Sequence, residues 1–252
     1  MARRLYFPFV KTLGATLWAS VQVVGRDAVS TPDPADLDAI LLAWSDRVFR
    51  IGKVSLSQTG AEVYEDARPV AGRASKAGKA YVVMSNHQSL LDIPAVVSTF
   101  PGRVRMVSKQ SLSKVPIWGR AMKAGGIVFV DRDNRAQSIA SLERAKAQLA
   151  LGTSIWIAPE GTRGCPGELL PLKKGGFHVA TQLGVPIAPA WITGTADIIS
   201  PDSFGVRMQG TVTVRYGAPI ATEGVEMSVL MQQVRASLLT LKAASLAAGA
   251  GP

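Results

Sequence analysis

The stretch AYVVMSNHQSLLDIPAVVST, residues 80–99, sets the frame for the whole chain. Ala80–Ser85 is a short apolar, β-branched run, the composition of a buried strand. Four polar residues follow, Asn86, His87, Gln88 and Ser89. Apolar residues then return from Leu90 to Thr99, with Pro94 near the start, where a helix tolerates proline. Strand, polar turn and helix within twenty residues predict a β-α unit. In a sheet built from such units, chemistry gathers where strands hand over to loops at their carboxyl ends. His87 stands at that junction, and it is one of only two histidines in 252 residues.

The spacing of His87 and Asp92 is informative. Residues on a regular helix advance ~100° each, so five positions leave the pair about 140° apart, out of contact. They can meet if His87 lies in the loop and Asp92 in the first turns of the helix, with Ser89 as its N-cap. Such an aspartate accepts a hydrogen bond from one ring nitrogen and fixes the tautomer. The other nitrogen is then free to take a proton from a hydroxyl. A structural histidine bonded to a local carboxylate is the competing reading of the pair alone.

Outward from this unit, strands are predicted at 54–57, 104–108, 126–130, 154–158, 187–192 and 211–216. Helices are predicted at about 134–151, 116–123, 175–183 and 226–246, with Gly152 as a stop for the first. The alternation predicts a single α/β domain, residues 54–252, with a mainly parallel or mixed central sheet flanked by helices. There are no repeats and no interdomain linker.

Residues 1–53 read as a separate N-terminal segment. MARRLYFPFVKTLGATLWASVQVVG opens with two arginines and continues mostly apolar. Lys11 interrupts it, so it makes a marginal membrane span. It also lacks the clean apolar core and cleavage site of a signal peptide. In STPDPADLDAILLAWSDRVFRIGK, Asp33 is a candidate N-cap with Pro34 at the first helical position. Leu37, Ile40, Leu41, Trp44, Val48 and Ile51 follow at helical spacing. Together the two segments predict a helical hairpin turning around residues 29–34. One reading packs it on the domain's own core. The other lets it dip into one leaflet of a membrane, with Tyr6, Phe7, Trp18 and Trp44 near the headgroups. The expected location is then the cytoplasmic face of the cell membrane, held peripherally or monotopically.

The bulk composition narrows the function. At 47% hydrophobic and 18% charged, this is a folded chain and not a disordered one. With one cysteine, Cys165, no intramolecular disulfide can form, and one Cys with two His builds no ordinary zinc site. The net charge of +10 is uneven. Between Arg68 and Lys123 lie Arg68, Arg73, Lys76, Lys79, Arg103, Arg105, Lys109, Lys114, Arg120 and Lys123, against the single acid Asp92. That bias fits an anionic partner or an ordinary solubilising surface.

Three further strand ends carry polar residues. In GGIVFVDRDN (125–134), Asp131 and Arg132 close an apolar run. In SIWIAPEGTRG (154–164), Pro159, Glu160, Gly161, Thr162 and Arg163 do so. GVPIAPAWI (184–192) is an apolar run punctuated by prolines. Gly161 lets backbone approach a ligand, and Arg163 can grip a phosphate with two hydrogen bonds, although an acid and an arginine at a turn also often pair with each other. Lys109, Lys173 and Lys174 add positive charge. There is no G-x-S-x-G nucleophile elbow, no Walker loop and no dinucleotide glycine pattern. Cys165 has no partner histidine in view, and His178 reads as structural in a predicted helix. A base without a protein nucleophile points to direct attack by a substrate hydroxyl or by water.

Taken in order, these junctions resemble the glycerolipid acyltransferases, specifically the 1-acyl-sn-glycerol-3-phosphate acyltransferase (PlsC-like) family. NHQSLLD matches its N-H-x-S-x-x-D block and GGIVFVDR its second block, which ends at Arg132. APEGTR matches F-P-E-G-T-R with Ala158 in place of phenylalanine, a change in packing that leaves the polar groups intact. VPIAPAWI matches V-P-I-x-P. Lys109 and Lys173–Gly175 sit where the family carries basic residues. The resemblance covers residues 80–192.

The resemblance implies that His87, oriented by Asp92, deprotonates the 2-hydroxyl of a lysophospholipid acceptor. The alkoxide then attacks the thioester of acyl-CoA or acyl-carrier protein directly. Lys109, Arg132, Glu160, Gly161, Thr162 and Arg163 are implied to hold the glycerol-phosphate head. The oxyanion falls to backbone amides near the histidine loop or to a basic side chain. No metal or other cofactor is implied. The implied partners are the thioester donor, the lysolipid acceptor and a membrane surface, with no nucleic acid. Acceptors of another kind (a different lysolipid or a hydroxylated lipid amine), a thioesterase, and a non-enzymatic basic lipid- or nucleic-acid-binding module are the rival readings.

Overall fold

The structure, a computed structural model, describes residues 6–69, 78–131, 135–200 and 209–249. Two helices open it, α1 (Tyr6–Val29) and α2 (Pro34–Gly52). Then come β1 (Val54–Thr59), a 3-10 turn Ala61–Ala67, β2 (Val82–Ser85), α3 (Asp92–Thr99) and β3 (Val104–Lys109). A second 3-10 turn, Gln110–Lys114, leads to α4 (Trp118–Ala124) and β4 (Val128–Val130). The chain closes with α5 (Arg135–Ala150), β5 (Ser154–Ile157), α6 (Gly175–Gln182), β6 (Ile187–Thr193), α7 (Thr195–Ile198), β7 (Gly210–Tyr216) and α8 (Met227–Gly249). Each predicted strand is present. The two 3-10 turns and α7 carry too few residues to show a period.

The seven strands form one mixed sheet in the order β1-β7-β6-β2-β5-β3-β4. β6, β2, β5, β3 and β4 run parallel; β7 lies antiparallel to β6, with β1 parallel to β7. β2 sits between β6 and β5, and its connection leads toward β3 while that of β5 crosses to β6. Connections thus leave in opposite directions around β2, the topology that places ligand sites of such sheets at the strand's carboxyl end.

Strand periodicity divides the core into two layers. Tyr81 and Val83 face one side, with Phe49 of α2, Ala95 and Val96 of α3, and Trp156. Val82 and Met84 face the other, with Leu149 of α5, Phe177 of α6 and Leu230, Val234 and Leu238 of α8. Parallel strands covered on both faces read as continuous apolar runs, which is the pattern of residues 80–85.

The amino-terminal segment is a helical hairpin as expected. The Asp33 carboxylate accepts from Ala35 N at 2.7 Å, and Pro34 takes the first helical position. Trp44 Nε1 donates to Thr16 Oγ1 at 3.1 Å, and Arg47 stacks 5.0 Å above the Trp18 ring. Asp38 pairs with Arg103 at 2.9 Å and with Arg105 at 2.7 Å, fastening α2 to the amino end of β3. These two arginines are buried, so they add nothing to a surface field. Arg68 pairs with Glu65 and Lys79 with Asp66, while Arg73 and Lys76 lie outside the described residues. Among the described residues, the exposed basic side chains that remain in this region are Lys109, Lys114 and Lys123, and Arg120, which lies 3.5 Å from Asp27. Among the described residues, no helix is long and apolar enough to cross a membrane.

Candidate active site

The site begins with how residues 85–92 are pinned. Asn86 is fully buried, and its side-chain amide grips β6 at both ends. Nδ2 donates to Ile192 O at 2.9 Å, and Ile192 N donates to Oδ1 at 2.8 Å. An amide that copies a strand's own hydrogen bonds fixes the chain at the point where β2 ends. This is why an asparagine precedes the histidine. Ser89 Oγ donates to Ile199 O at 2.8 Å, securing the far side of the loop. The expected cap is corrected here: α3 starts after Leu91, and the Ser89 hydroxyl only accepts from Leu91 N at 3.3 Å.

Asp92 occupies the first residue of α3 and turns back over the loop. Its Oδ2 takes Nδ1 of His87 at 2.8 Å, Gln88 N at 2.7 Å and Ser89 N at 2.9 Å. Its Oδ1 accepts from the Thr195 hydroxyl at 2.6 Å. The carboxylate is completely buried and is met by four donors, the condition under which a buried charge is sustained. With Oδ2 an acceptor, Nδ1 carries the proton and Nε2 holds a free lone pair. The His87 side chain is 20% exposed. The Trp156 ring braces the imidazole edge-on, with centroids 5.5 Å apart, and Trp156 Nε1 is fixed by Ser85 Oγ at 2.9 Å.

The residues 158–164 lie beside this loop, at the end of the neighbouring strand β5. Gly161 N donates to Ala158 O at 3.0 Å, closing a turn with Pro159 at its second position. Gly161 has φ +76°, the left-handed region that favours glycine. Glu160 is buried inward. Its Oε1 accepts from His87 N at 3.1 Å and its Oε2 from Leu170 N at 2.8 Å. Gly164 N in turn donates to His87 O at 2.8 Å. Burial pushes the Glu160 carboxyl above its ordinary range, opposed by the hydrogen bonds from the amides of Leu170 and His87.

Glu160 is therefore engaged with amides and not with Arg163. The expected role for it, holding a phosphate head, does not fit a carboxylate sealed inside the protein; it holds two loops together instead. Thr162 and Arg163 are exposed, as is Lys109 at the carboxyl end of β3 on the same rim of the sheet. Arg132 lies outside the described residues. Cys165 is exposed near Arg163, and His178 is exposed on α6.

The expected choice for the oxyanion also narrows. The amides of His87, Gln88 and Ser89 are all committed to carboxylates. Thr195, Asn86, Ser89 and Trp156 hold the loop and its side chains in place; the sequence reading gave Ser89 only a capping role and gave Thr195 and Trp156 none. Thr195 lies 103 residues from Asp92 in the chain, so no local spacing announces it.

A model of the Acyltransferase family matches residues 65–193. The chain is 38% identical over 159 residues to the 1-acyl-sn-glycerol-3-phosphate acyltransferase of Saccharomyces cerevisiae, covering 62% of this chain and 52% of that one. It is 36% identical over 165 residues to 1-acyl-sn-glycerol-3-phosphate acyltransferase alpha of Mus musculus, covering 64% and 58%. The chain thus spans little more than half the length of these curated relatives. The crystal structure of the 1-acyl-sn-glycerophosphate (LPA) acyltransferase PlsC from Thermotoga maritima superposes with a TM-score of 0.75 at 22% identity, covering 95% of this chain and 94% of that one.

Proposed function

Because the chain belongs to the acyltransferase family, we propose that it moves a fatty acyl group from acyl-CoA or acyl-carrier protein to the 2-hydroxyl of 1-acyl-glycerol-3-phosphate, giving phosphatidic acid. The observation that carries this reading is the arrangement of His87. Its Nδ1 is tied to a buried, saturated carboxylate, its Nε2 is open, and the turn bearing Arg163 is hydrogen-bonded to its own backbone. The acceptor is taken from the yeast and mouse relatives, which are named for it.

In this mechanism His87 Nε2 removes the proton from the acceptor hydroxyl. The oxygen attacks the thioester carbonyl, and a tetrahedral oxyanion forms. Collapse expels the thiolate, which takes the proton from the imidazolium. Asp92 stabilises that imidazolium without moving a proton itself. No acyl-enzyme is involved. Arg163 and Lys109, with Thr162, face the phosphate, and Gly161 keeps the backbone low enough for approach. Since the amides of residues 87–89 are engaged, the oxyanion is assigned to a basic side chain of this rim.

Both substrates carry long acyl chains, so residues 1–53 are proposed as a membrane-associating segment ahead of an acyltransferase domain at 54–252. The exposed face of α1 supports this. Val10, Leu13, Leu17 and Val21 form a stripe at helical spacing, with Trp18 beside it and no charge between Lys11 and Arg26. The segment lies in one leaflet, on the cytoplasmic face of the cell membrane.

The test is an acceptor panel. Purified enzyme with acyl-CoA, then acyl-carrier protein, is offered lysophosphatidate, other lysolipids and hydroxylated lipid amines. Phosphatidate from lysophosphatidate is the expected main product. Preference for an uncharged acceptor, or thioester hydrolysis without any acceptor, overturns the assignment.

A further inference from the structure

The connection between the second 3-10 turn and α4 is folded against its own preferences. Ile117 has φ +61° and ψ −59°, and Trp118 N donates to Pro116 O at 2.6 Å. This is a γ-turn of the rarer, strained hand, and a β-branched residue is the least suited to its centre. Gly119 is required immediately after it, since a Cβ there would stand 2.3 Å from Ser113 O. Packing covers the side chains of this turn only in part. Val115, Ile117 and Trp118 are 37%, 47% and 38% exposed, three large apolar side chains in four residues. Strain that presents apolar groups to solvent is retained for what those groups meet outside the protein.

The surroundings identify the partner. Lys114, Arg120 and Lys123 flank the turn, and no acid occurs between Asp92 and Asp131. Arg120 Nη2 lies 3.5 Å from Asp27 at the carboxyl end of α1. Val24 of α1 packs against the cluster that contains Ala121. The helix that follows the turn, α4, therefore packs against the carboxyl-terminal end of α1, the helix whose exposed face carries the charge-free stripe. The element follows β3, whose carboxyl end carries Lys109 on the rim of the active site.

We infer that the γ-turn at Val115–Trp118 is a second membrane contact, which inserts its apolar side chains into an anionic bilayer surface while Lys114 and Lys123 meet the lipid phosphates. The inference rests on the membrane reading of α1. Two contacts fix an orientation where one fixes only a line, so the rim bearing His87 is held at a set tilt to the bilayer from which the acceptor comes.

The experiment uses the full chain with Cys165→Ser, which removes the only cysteine. Ile117→Cys and, separately, Leu17→Cys then carry a fluorophore that shifts to the blue in an apolar medium. Vesicles are phosphatidylcholine with about a third phosphatidylglycerol. Both labels are expected to shift and to be quenched by lipids brominated near the headgroup. A Leu17 label that enters while the Ile117 label stays wet overturns this inference alone. Two wet labels overturn it together with the membrane reading of α1. An Ile117 label that answers to an acidic acyl-carrier protein but not to vesicles assigns the patch to a protein and overturns it as well. Ile117→Gly guards against misfolding, because glycine adopts the turn without strain. It is expected to keep or raise thermal stability and to weaken vesicle partitioning about fivefold. Unchanged partitioning contradicts the proposal.

Discussion

His87 and Glu160 are coupled through the backbone. The His87 amide donates to Glu160 Oε1 at 3.1 Å, and the His87 carbonyl accepts from Gly164 N at 2.8 Å. The histidine loop and the turn carrying Arg163 are thus clamped on both sides of Glu160. The base and anion grip proposed for these two loops would lose the advantage of fixed geometry if they moved independently.

Glu160→Gln tests that clamp. A glutamine offers one acceptor oxygen and turns an N–H toward one of the two amides, so one loop is released. Activity is expected to fall at least tenfold, by about the free energy of one lost charge-assisted hydrogen bond. The pH dependence has a definite sign. Burial raises the folded pKa of Glu160 above its unfolded value, so its stabilising contribution is full below the unfolded pKa and is lost as pH rises through the folded one. Thermal melts should show wild type losing ground to Glu160→Gln over that interval. A gap that stays constant with pH contradicts the assignment.

Thr195 is expected to act on the proposed base through Asp92, as a positioning residue. Thr195→Val removes the hydroxyl that meets Oδ1 at 2.6 Å and keeps the shape. We expect kcat to fall about tenfold with little change in KM, together with a displaced pH–rate profile. Thr195→Ser should restore both. A variant that only lowers thermal stability would reduce Thr195 to a packing residue.

Asn86→Ala leaves the amide and carbonyl of Ile192 buried without their partner. The expected loss of stability is about 2–4 kcal/mol, one unsatisfied donor and one acceptor, measured by denaturant unfolding. Asn86→Asp keeps the acceptor but sets a second carboxylate oxygen against the Ile192 carbonyl, so at neutral pH it should lose at least as much. Equal stability of all three proteins would contradict the pinning of the loop.

Much of this was legible in the residues, for identifiable reasons. The strand at 82–85 is apolar on both faces because it lies in the middle of a covered sheet, and that continuous run is visible without coordinates. The His87–Asp92 contact was readable because loop and helix start are neighbours in the chain. Thr195 and the strain at Ile117 were not, because neither follows from local spacing. One is brought to Asp92 by the β6 crossover, and the other depends on a backbone angle that composition does not encode. Glu160 was misread for a related reason: a carboxylate beside an arginine in sequence looks like part of an anion site until burial shows where its oxygens point. Arg103 and Arg105 likewise look like surface charge until Asp38 of α2 is seen against them.

Arg163→Ala should separate binding from chemistry. Losing charge-assisted hydrogen bonds to a phosphate is expected to raise KM for the acceptor about ten- to a hundredfold, with kcat changed far less. Arg163→Lys should recover part of the loss, since it keeps charge but not the planar fork. A fall confined to kcat would move Arg163 from the phosphate to the reacting carbonyl.

The central claim is that His87 is the base, and steady-state transfer to labelled lysophosphatidate by His87→Ala tests it most directly. The side chain is partly exposed and the Asn86 and Ser89 anchors remain, so the variant is expected to fold. Phosphatidate formation should fall on the order of a thousandfold at saturating acceptor, with acceptor affinity nearly intact. Turnover by His87→Ala at the wild-type rate would contradict the mechanism.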